Sequence, residues 1–400
     1  MAITDKEQGV WGLEEVYNKI NEGDIWKYTG QQEMWNWGYS TDGMVGRNNL
    51  VSLSSPTQLP GTTWSRSYGT TPSTNKISGD RPQYAIKTDG TFWSWGGNYN
   101  GSLGQNNSNP ARYSSPTQVG TDTTWKGVST SVCNMVECSA WKTDGSLWTW
   151  GANNKGQLGH NNKTDYSSPK QVPGSYKVAV AAQLSSMAIK TDGTFWSWGY
   201  NDYGQLGHNN KSDYSSPKQV GTDTTWDEIQ GAHSDQVYVT KTDGSLWAWG
   251  RNHQGQLGQN NRTDYSSPRQ IPGDFSGAGF SIAYHAQIAV KNDGTLWSWG
   301  YQSYGELGQN QASGGARSSP VQIGSDTDWD PDGISGGGFQ SMGCVKTDGS
   351  MYLWGRNLGG VLGINEQGNN KSRSSPTQIP GTIWSSLRIA GRTSYATKTL

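Results

Sequence analysis

Seven copies of the dipeptide Trp-Gly, spaced along residues 37–355 of this chain of 400 residues, each close a short apolar segment. The copies stand at Trp37-Gly38, Trp95-Gly96, Trp150-Gly151, Trp198-Gly199, Trp249-Gly250, Trp299-Gly300 and Trp354-Gly355. Repeats of about 40 to 60 residues built from strands and tight turns cannot each bury an apolar face alone, so neighbours must stack in a solenoid or a ring. The spacing therefore predicts one large repeat domain of the all-β class.

Six copies of Asp-Gly precede these tryptophans, as in the segment Lys-Thr-Asp-Gly-Thr-Phe-Trp-Ser-Trp-Gly at 87–96. Asp-Gly favours a type I′ hairpin turn, in which both residues have positive φ. We expect residues 84–87 to pair with 91–95. Bulky side chains on both faces indicate a sheet that lies between two others, as a blade (one radial sheet) does in a β-propeller.

Two further signatures complete each repeat. A loop of the form Gly-x-Asn-x-x-Gly-Gln-Leu-Gly, seen at 151–159, carries a leucine that should fill an apolar hole; Val45 takes its place in the first repeat. The segment Ser-Ser-Pro-x-Gln then occurs seven times. Because proline is tolerated on an edge strand, this segment is predicted to be the outermost of four strands in a blade.

The chain ends supply the two halves of a hairpin that has no turn. Residues 394–398 match 83–87, whereas 34–38 match the strand that follows such a turn. We therefore predict that the strand of Tyr395 and Thr397 pairs with that of Trp35 and Trp37. This pairing would close a seven-bladed β-propeller over residues 31–400 and remove exposed edges.

These motifs together resemble the repeat of the regulator of chromosome condensation family, over about residues 31–400. The resemblance implies a propeller fold, but the family supports unrelated functions, including nucleotide exchange on a small GTPase and inhibition of β-lactamases. No basic tail and no insertion like the GTPase-contacting wedge is evident, which weakens an interpretation as a nucleotide-exchange factor. A protein inhibitor or an exchange-factor-like binder of a soluble host protein is retained as one alternative.

The leader at 1–30 lies outside the repeat period. Its segment Gly-Val-Trp-Gly-Leu-Glu-Glu-Val-Tyr at 9–17 resembles the N-terminal segment of tailed-bacteriophage virion (tail or fibre) proteins. Apolar residues follow helical spacing on a helix too short to be stable alone. The predicted anchoring residues are Trp11, Leu13, Val16, Tyr17 and Ile20. They would dock on the propeller itself or on a neighbouring virion protein.

Composition excludes several classes of partner. Lys plus Arg number 31 and Asp plus Glu number 32, so no electrostatic footprint for nucleic acid is present. No stretch of about 18 apolar residues predicts membrane insertion, and residues 1–10 lack the apolar run of a signal peptide. The odd set Cys133, Cys138 and Cys344 is interpreted as reduced thiols.

Catalytic chemistry is not predicted. No Ser-His-Asp or Cys-His spacing is evident, so we expect neither an enzyme nor a cofactor. His160 and His208 occupy a repeat position that elsewhere holds Gln105, Gln259 and Gln309, which predicts solvated loop residues.

Two ligand sites are weighed. Asp328, Asp330 and Asp332 resemble the first half of a calcium loop, but Phe339 stands where a bidentate Glu is needed, so no metal is predicted and calcium is the minor alternative. A recurring tyrosine could stack on sugars, although such repetition more often indicates packing. Its copies are Tyr113, Tyr166, Tyr214 and Tyr265.

The predicted function is that of a non-enzymatic structural or adhesive component of a bacteriophage virion, made in the host cytoplasm. The leader would bind other virion proteins. Irregular stretches on the rigid scaffold would contact a host surface protein or glycan; they are 65–82, 127–139, 273–284, 308–317 and 331–343. A glycan-binding host-recognition module is the second alternative.

Overall fold

Short antiparallel strands separated by tight turns dominate the computed structural model of the chain. It describes residues 35–38, 43, 46–51, 53–58, 82–108, 112–130, 137–182, 184–233, 235–283, 285–311, 314–337, 340–366, 369–381, 384–390 and 393–398. The leader, with Trp11, Leu13, Val16, Tyr17 and Ile20, lies outside them. Short 3₁₀ turns occur at Tyr99–Gly101, Pro331–Gly333, Leu358–Gly360 and Asn369–Lys371. Within these ranges, no helix has the length and apolarity to span a membrane.

The strands form eight sheets, each antiparallel and in chain order. The incomplete sheets are β1 (Trp35–Gly38) with β2 (Leu53–Gln58), β3 (Gln83–Ile86) with β4 (Phe92–Gly97) and β5 (Arg112–Gln118), and β26 (Trp384–Ala390) with β27 (Thr393–Lys398). The first two four-stranded sheets are β6 (Trp125–Thr130), β7 (Glu137–Lys142), β8 (Leu147–Gly151), β9 (Tyr166–Val172), and β10 (Tyr176–Ala182), β11 (Ser185–Lys190), β12 (Phe195–Gly199), β13 (Tyr214–Gln219).

Three more four-stranded sheets follow. They are β14 (Trp226–His233), β15 (Gln236–Lys241), β16 (Leu246–Gly250), β17 (Tyr265–Gln270); β18 (Phe275–Ala283), β19 (Ala286–Lys291), β20 (Leu296–Gly300), β21 (Arg317–Gln322); and β22 (Ser335–Gly337), β23 (Ser341–Val345), β24 (Met351–Gly355), β25 (Arg373–Ile379). The first strands of successive sheets pack together, β6 on β10, β10 on β14, β14 on β18, β18 on β22 and β22 on β26. The sheets therefore radiate from a centre lined by first strands.

The hairpin register is as predicted, but the turn type is not. Strand β3 pairs with β4 so that residues 84–86 face 92–94. Lys87 N–H donates to the Thr91 carbonyl and Gly90 N–H to the Lys87 carbonyl, both at 2.9 Å. Gly90 has φ of 79°, whereas Asp89 is not among the residues with positive φ. The type I′ prediction is therefore wrong: the loop has three residues with glycine alone left-handed.

The aspartate of this turn has a different role from the one predicted. The Asp89 Oδ1 accepts from the backbone N–H of Thr91 at 2.9 Å and from its hydroxyl at 2.7 Å. The Thr91 hydroxyl then accepts from the Trp93 indole at 2.8 Å. These bonds lower the pKa of the Asp89 carboxyl. Aspartate thus locks the turn through its side chain rather than through its backbone angles.

The Ser-Ser-Pro strands lie at the outer end of every sheet that contains one, as predicted. The leucine plugs are also buried: Leu103, Leu206, Leu257, Leu307 and Leu362 are 0% exposed and Leu158 is 1% exposed. Val45 lies outside the described residues. The loop and the edge strand therefore have the packing roles assigned to them.

Two hydrogen bonds, which we call the indole latch and the amide latch, join each loop to the next sheet. In the indole latch, the tryptophan of Trp-Gly donates its indole N–H to a loop carbonyl of the preceding sheet; the pairs are Trp150 to Ser102, Trp198 to Gln157, Trp249 to Gln205, Trp299 to Gln256 and Trp354 to Glu306. In the amide latch, a left-handed asparagine donates its backbone N–H to a serine carbonyl of the following edge strand. Its pairs are Asn48 to Ser114, Asn106 to Ser167, Asn161 to Ser215, Asn209 to Ser266, Asn260 to Ser318 and Asn310 to Ser374.

The two chain ends form separate two-stranded sheets. Tyr395 and Thr397 lie in β27, which pairs with β26, whereas Trp35 and Trp37 lie in β1, which pairs with β2. These four strands are the set predicted for one blade. No ladder joins β27 to β1 within the described residues. Closure of the ring therefore stays a prediction.

Candidate interaction face

One face of the molecule gathers the turns between first and second strands and the residues that follow Trp-Gly. The backbone N–H of Arg251 donates to the carbonyl of Asp235 at 2.8 Å. Equivalent bonds join Tyr200 to Leu184, Tyr301 to His285 and Arg356 to Gln340. Gly250 is required at this approach because its φ is 99° and an added Cβ would lie 2.2 Å from the Asp235 oxygen. Close backbone contact thus places these side chains beside one another.

Arg251 is the centre of a polar network on this face. Its guanidinium lies 3.4 Å from the carboxylate of Asp235, whose side chain is 13% exposed. Its Nε lies 3.3 Å from Nδ1 of His253, and Nε2 of His253 lies 3.4 Å from the carboxylate of Asp264. Asp264 also accepts the backbone N–H of Asn252 at 2.8 Å. The network is therefore held in position by its own loop.

Burial changes the titration of groups around Arg251. It raises the pKa of Asp235, an effect that Arg251 opposes. Burial, helped by the positive charge of Arg251, lowers the pKa of His285. Burial and the carboxylates of Asp202 and Asp235 raise the pKa of Tyr200 well above its ordinary value. The face therefore holds Arg251 against a partly desolvated carboxylate, with neutral His285 beside it at physiological pH.

Cations on this face stack on tyrosines across the sheet boundaries. The guanidinium of Arg251 lies 4.8 Å from the ring of Tyr203, and that of Arg356 lies 4.6 Å from the ring of Tyr304. Arginine and tyrosine are enriched at the centres of protein interfaces. The arrangement suits recognition of a partner surface.

The two repeat-position histidines are not solvated, which corrects the prediction made for them. His160 and His208 are half-buried, with Nε2 at 3.0 Å from the hydroxyls of Thr149 and Ser197. Burial lowers the pKa of each to about 4. The Ser197 hydroxyl donates to the Leu206 carbonyl at 2.5 Å and is fully buried. The Ser197–His208 pair is therefore a structural contact and not a nucleophile with its base.

Two of the three residues considered as minor calcium candidates, Asp328 and Asp330, have side chains with other partners. The carboxylate of Asp328 lies 2.9 Å from Lys346 Nζ. Asp330 caps a 3₁₀ turn by accepting the backbone N–H of Asp332 at 2.9 Å. Within the described ranges, no group of three or more acidic, histidine or cysteine side chains could hold a metal ion. The arrangement does not fit a calcium site.

The recurring tyrosines make packing contacts. The hydroxyl of Tyr166 accepts from Asn162 at 3.0 Å and from Lys170 at 2.8 Å, and its ring meets His160 edge to face at 5.2 Å. Tyr214 makes the same contacts with Asn210, Lys218 and His208. These contacts favour packing over sugar stacking at this position.

The irregular stretches are only partly described. Residues 65–81 and 131–136, which include Cys133, lie outside the described residues. The stretch at 273–284 carries most of β18, and that at 331–343 carries β22. Cys138 and Cys344 are buried free thiols, as interpreted from the sequence.

A second set of polar residues lies in the links between sheets, and only Asp328 among them was a candidate from the sequence. The link before β6 is Gly-Thr-Asp-Thr-Thr-Trp at 120–125, and its Asp122 lies 2.6 Å from Lys142 Nζ. The same kind of link occurs at 221–226 and 324–329, whereas a shorter Pro-Gly link precedes β10 and β18. The alternation was visible in the sequence as a difference in link length between otherwise equal repeats.

Radial sheets joined by these latches, with half-buried histidines packed against them, define a repeat-built β-propeller. The chain belongs to the RCC1-like domain family, which matches residues 26–342. Residues 348–386 match the regulator of chromosome condensation (RCC1) repeat. The resemblance of the repeats is thereby confirmed, and that of the leader to phage proteins stays a prediction.

Relatives span distant organisms. The ultraviolet-B receptor UVR8 of Arabidopsis thaliana is 25% identical over 251 residues, which are 60% of this chain and 53% of that protein. This chain thus spans about half the length of that relative. Human WBSCR16 superposes with a TM-score of 0.66 at 18% identity, over 92% of this chain and 100% of that one. Prp20p of Saccharomyces cerevisiae does so with 0.66 at 17%, over 92% of each. At these identities the structures share the fold alone.

Proposed function

We propose that this propeller is a non-enzymatic scaffold that binds protein partners and serves as a structural or adhesive component of a bacteriophage virion. The observation that carries the binding role is the network around Arg251, where a desolvated ion pair and stacked arginine–tyrosine contacts lie on one face. Among proteins of this fold, Prp20p binds Gsp1p and histones. A protein partner on the same scaffold is therefore a chemically reasonable expectation for this chain.

The virion assignment is supported by the leader sequence at 9–17. Residues 1–30 would anchor the chain to other virion proteins, and the propeller would be displayed outward. Mass spectrometry of gradient-purified particles should find the chain, and deletion of residues 1–30 should remove it. Particles that lack the full-length chain would refute the assignment.

The role of the interaction face is tested separately. Arg251→Glu, combined with Asp235→Asn so that no buried acidic pair is created, should leave the chain in particles but lower adsorption to host cells at least tenfold, because the face then presents an acidic group in place of its arginine. Arg262→Glu, at an exposed loop position, is the matched control. Equal adsorption of both variants would remove the face from the proposal.

We also propose that the ring closes with seven blades. The six amide latches and five indole latches support this, because the same chemistry is available once more at the chain ends. Asn365, which has φ of 57° like the other latch asparagines, would donate its backbone N–H to the Ser54 carbonyl. An Asn36→Cys, Tyr395→Cys double variant should form an intramolecular disulfide on mild oxidation, because closure in the register of β3 with β4 would place these two positions opposite each other. No disulfide in the monomeric chain would favour an open array.

An exchange-factor-like or inhibitory role is the second candidate, and the relationship to Prp20p favours it. It predicts a soluble one-to-one complex with a host protein in pull-downs. A chain found only in particles, with no such complex, would exclude it.

A further inference from the structure

A cleft lies beside the link at 120–125, and the side chains that line it recur beside two further links, on alternate sheets. The cleft lies between β5 and the sheet of β6–β9 and has a volume of about 310 Å³. Its lining includes Asn106, Gly120, Asp122, Trp125, Lys142 and Trp148. Gly120 has φ of 63°, and an added Cβ would meet no atom within 4 Å, so the cleft opens to solvent at this glycine.

The lip of this cleft carries an ion pair beside two indoles. Lys142 Nζ lies 2.6 Å from the Asp122 carboxylate and 4.1 and 4.9 Å from the ring centroids of Trp148 and Trp125. The lysine side chain is 9% exposed, whereas that of Asp122 is 49% exposed. The aromatic faces therefore hold the ammonium in place while the carboxylate remains accessible to a ligand.

The indole of Trp125 is a buried donor with no acceptor among the described residues. The residue is 5% exposed and lines the cleft. Neighbouring indoles are paired: that of Trp148 donates to the Ser146 hydroxyl at 3.0 Å and that of Trp150 to the Ser102 carbonyl at 2.7 Å. The Trp125 Nε1 is shielded from solvent, so the Trp125 ring serves as a wall of the cleft rather than as a donor to a ligand in it.

The same combination of an aspartate–lysine ion pair and a buried tryptophan recurs at the six-residue links 221–226 and 324–329. Lys241 lies 2.6 Å from Asp223 beside Trp226, and Lys346 lies 2.7 Å from Asp326 beside Trp329. The indoles of Trp226 and Trp329 also have no acceptor within the described part of the chain, and both residues are buried.

The intervening sheets, with Pro-Gly links, lack the combination. Tyr176 replaces the tryptophan in one of them, and its hydroxyl donates to the Pro173 carbonyl at 2.9 Å. Phe275 replaces it in the other and has no polar side-chain atom. Among the five four-stranded sheets, the aspartate–lysine pair beside a tryptophan therefore occurs only with the six-residue links, which a simple packing role does not require.

We propose that this cleft and the two equivalent positions are binding subsites for a neutral hexopyranose saccharide. The partly exposed Trp148 ring offers an apolar surface to the C–H face of a sugar. The Asp122 carboxylate accepts from sugar hydroxyls, Lys142 donates to sugar oxygens, and the Trp125 ring packs beside the ligand. Hydroxyl groups both donate and accept, so they match this set, whereas a phosphate would be repelled by Asp122. Repeated subsites on one ring suit a polysaccharide, since linked sites add avidity.

The proposal is independent of the virion assignment and is tested on the purified full-length chain. Protein with ¹⁵N-labelled tryptophan is titrated with maltohexaose, chitohexaose and β-1,4-galactohexaose. With at least one probe, the indole resonances of Trp125, Trp226 and Trp329, assigned through single Trp→Phe variants, should shift and saturate together. Those of Trp198 and Trp249, which are latched, should not move.

A cleft-blocking variant separates binding from incidental shifts. Thr121→Trp places a bulky ring at the exposed lip of the cleft and should lower the calorimetric stoichiometry by about one third without changing the melting temperature. Ser175→Trp, at an exposed position of a Pro-Gly link, is the matched control and should change neither. The proposal is overturned if no probe shifts the three indoles, if heat is released without those shifts, or if Thr121→Trp leaves the stoichiometry unchanged. Without shifts, each indole N–H would be assigned to the π face of its neighbouring aromatic ring.

Discussion

The indole N–H of Trp249 donates to the backbone carbonyl of Gln205 in the preceding sheet, at 2.8 Å. Gln205 presents this carbonyl because its own side-chain oxygen accepts the backbone N–H of Tyr203 at 3.1 Å. Trp249 is 0% exposed, so the bond joins two sheets inside the core. The Trp-Gly signature thus has a polar role between sheets in addition to its apolar bulk.

Loss of an indole latch should weaken the molecule more than loss of a rim indole. Trp249→Phe removes the bond to Gln205 and leaves a cavity, so we expect a loss of about 2–4 kcal/mol in the free energy of unfolding. Trp247→Phe, where the indole is half-buried and bonds to Ser245, should cost less than about half as much. Urea unfolding measures both. Equal losses would contradict an energetic role for the latch.

The glycine of Trp-Gly should tolerate no side chain. Gly250→Ala forces a Cβ to within 2.2 Å of the Asp235 oxygen at φ of 99°, and we expect a cost above about 3 kcal/mol. Gly221→Ala is the matched control because its φ is 62° but nothing lies within 4 Å of the new Cβ. It should cost about 1 kcal/mol, the backbone strain alone. Thermal unfolding of the two variants gives the difference, and similar midpoints would show that the close approach is not limiting.

The free energy of unfolding should fall in acid because His160 and His208 become protonated more readily in the unfolded chain. Their folded pKa is lowered from 6.5 to about 4, so the unfolded chain binds protons first as pH falls. Stability is therefore lost between pH 6.5 and pH 4 and is fully present above this window. Glutamine stands at the equivalent Gln259, where it donates to the Gln270 carbonyl at 2.9 Å.

A His160→Gln, His208→Gln double variant should accordingly have a flatter melting profile over that window. The expected gain at pH 4 is about 1–2 kcal/mol per site, after allowance for solvent screening of half-exposed rings. Parallel profiles for the variant and the wild-type chain would assign the acid sensitivity to other groups.

Arg251 should stabilise the fold mainly by compensating Asp235. Folding raises the pKa of Asp235, so its contribution to stability declines as pH rises through the range just above 3.8. Arg251→Met leaves that carboxylate uncompensated and should cost about 1–3 kcal/mol at pH 7. Adding Asp235→Asn should restore most of the loss, as measured by chemical denaturation. Additive losses in the double variant would disprove the coupling.

The register of the hairpin at 84–94 and the edge position of the Ser-Ser-Pro strands followed from residue pattern alone, because alternation and proline chemistry are local. The turn at Asp89 did not, since a dipeptide does not reveal that the loop has three residues. The burial of His160 depends on packing against Tyr166, and the network of Arg251 with Asp235 joins residues that only the folded sheets bring together. Contacts of this kind leave no periodic trace in a sequence.

The alternation of link types bears on how a chain like this grew. The six-residue links at 120–125, 221–226 and 324–329 alternate with Pro-Gly links, so the pattern of links repeats every two sheets. In the proposed seven-bladed ring, two types of link cannot alternate all the way round because seven is an odd number. Two links of the same type must therefore be neighbours at one point. Pro-Gly occurs at both 380–381 and 60–61, on either side of the termini. The two neighbouring Pro-Gly links would then flank the chain termini. This position is expected if ancestral repeats were added in pairs before the ring closed.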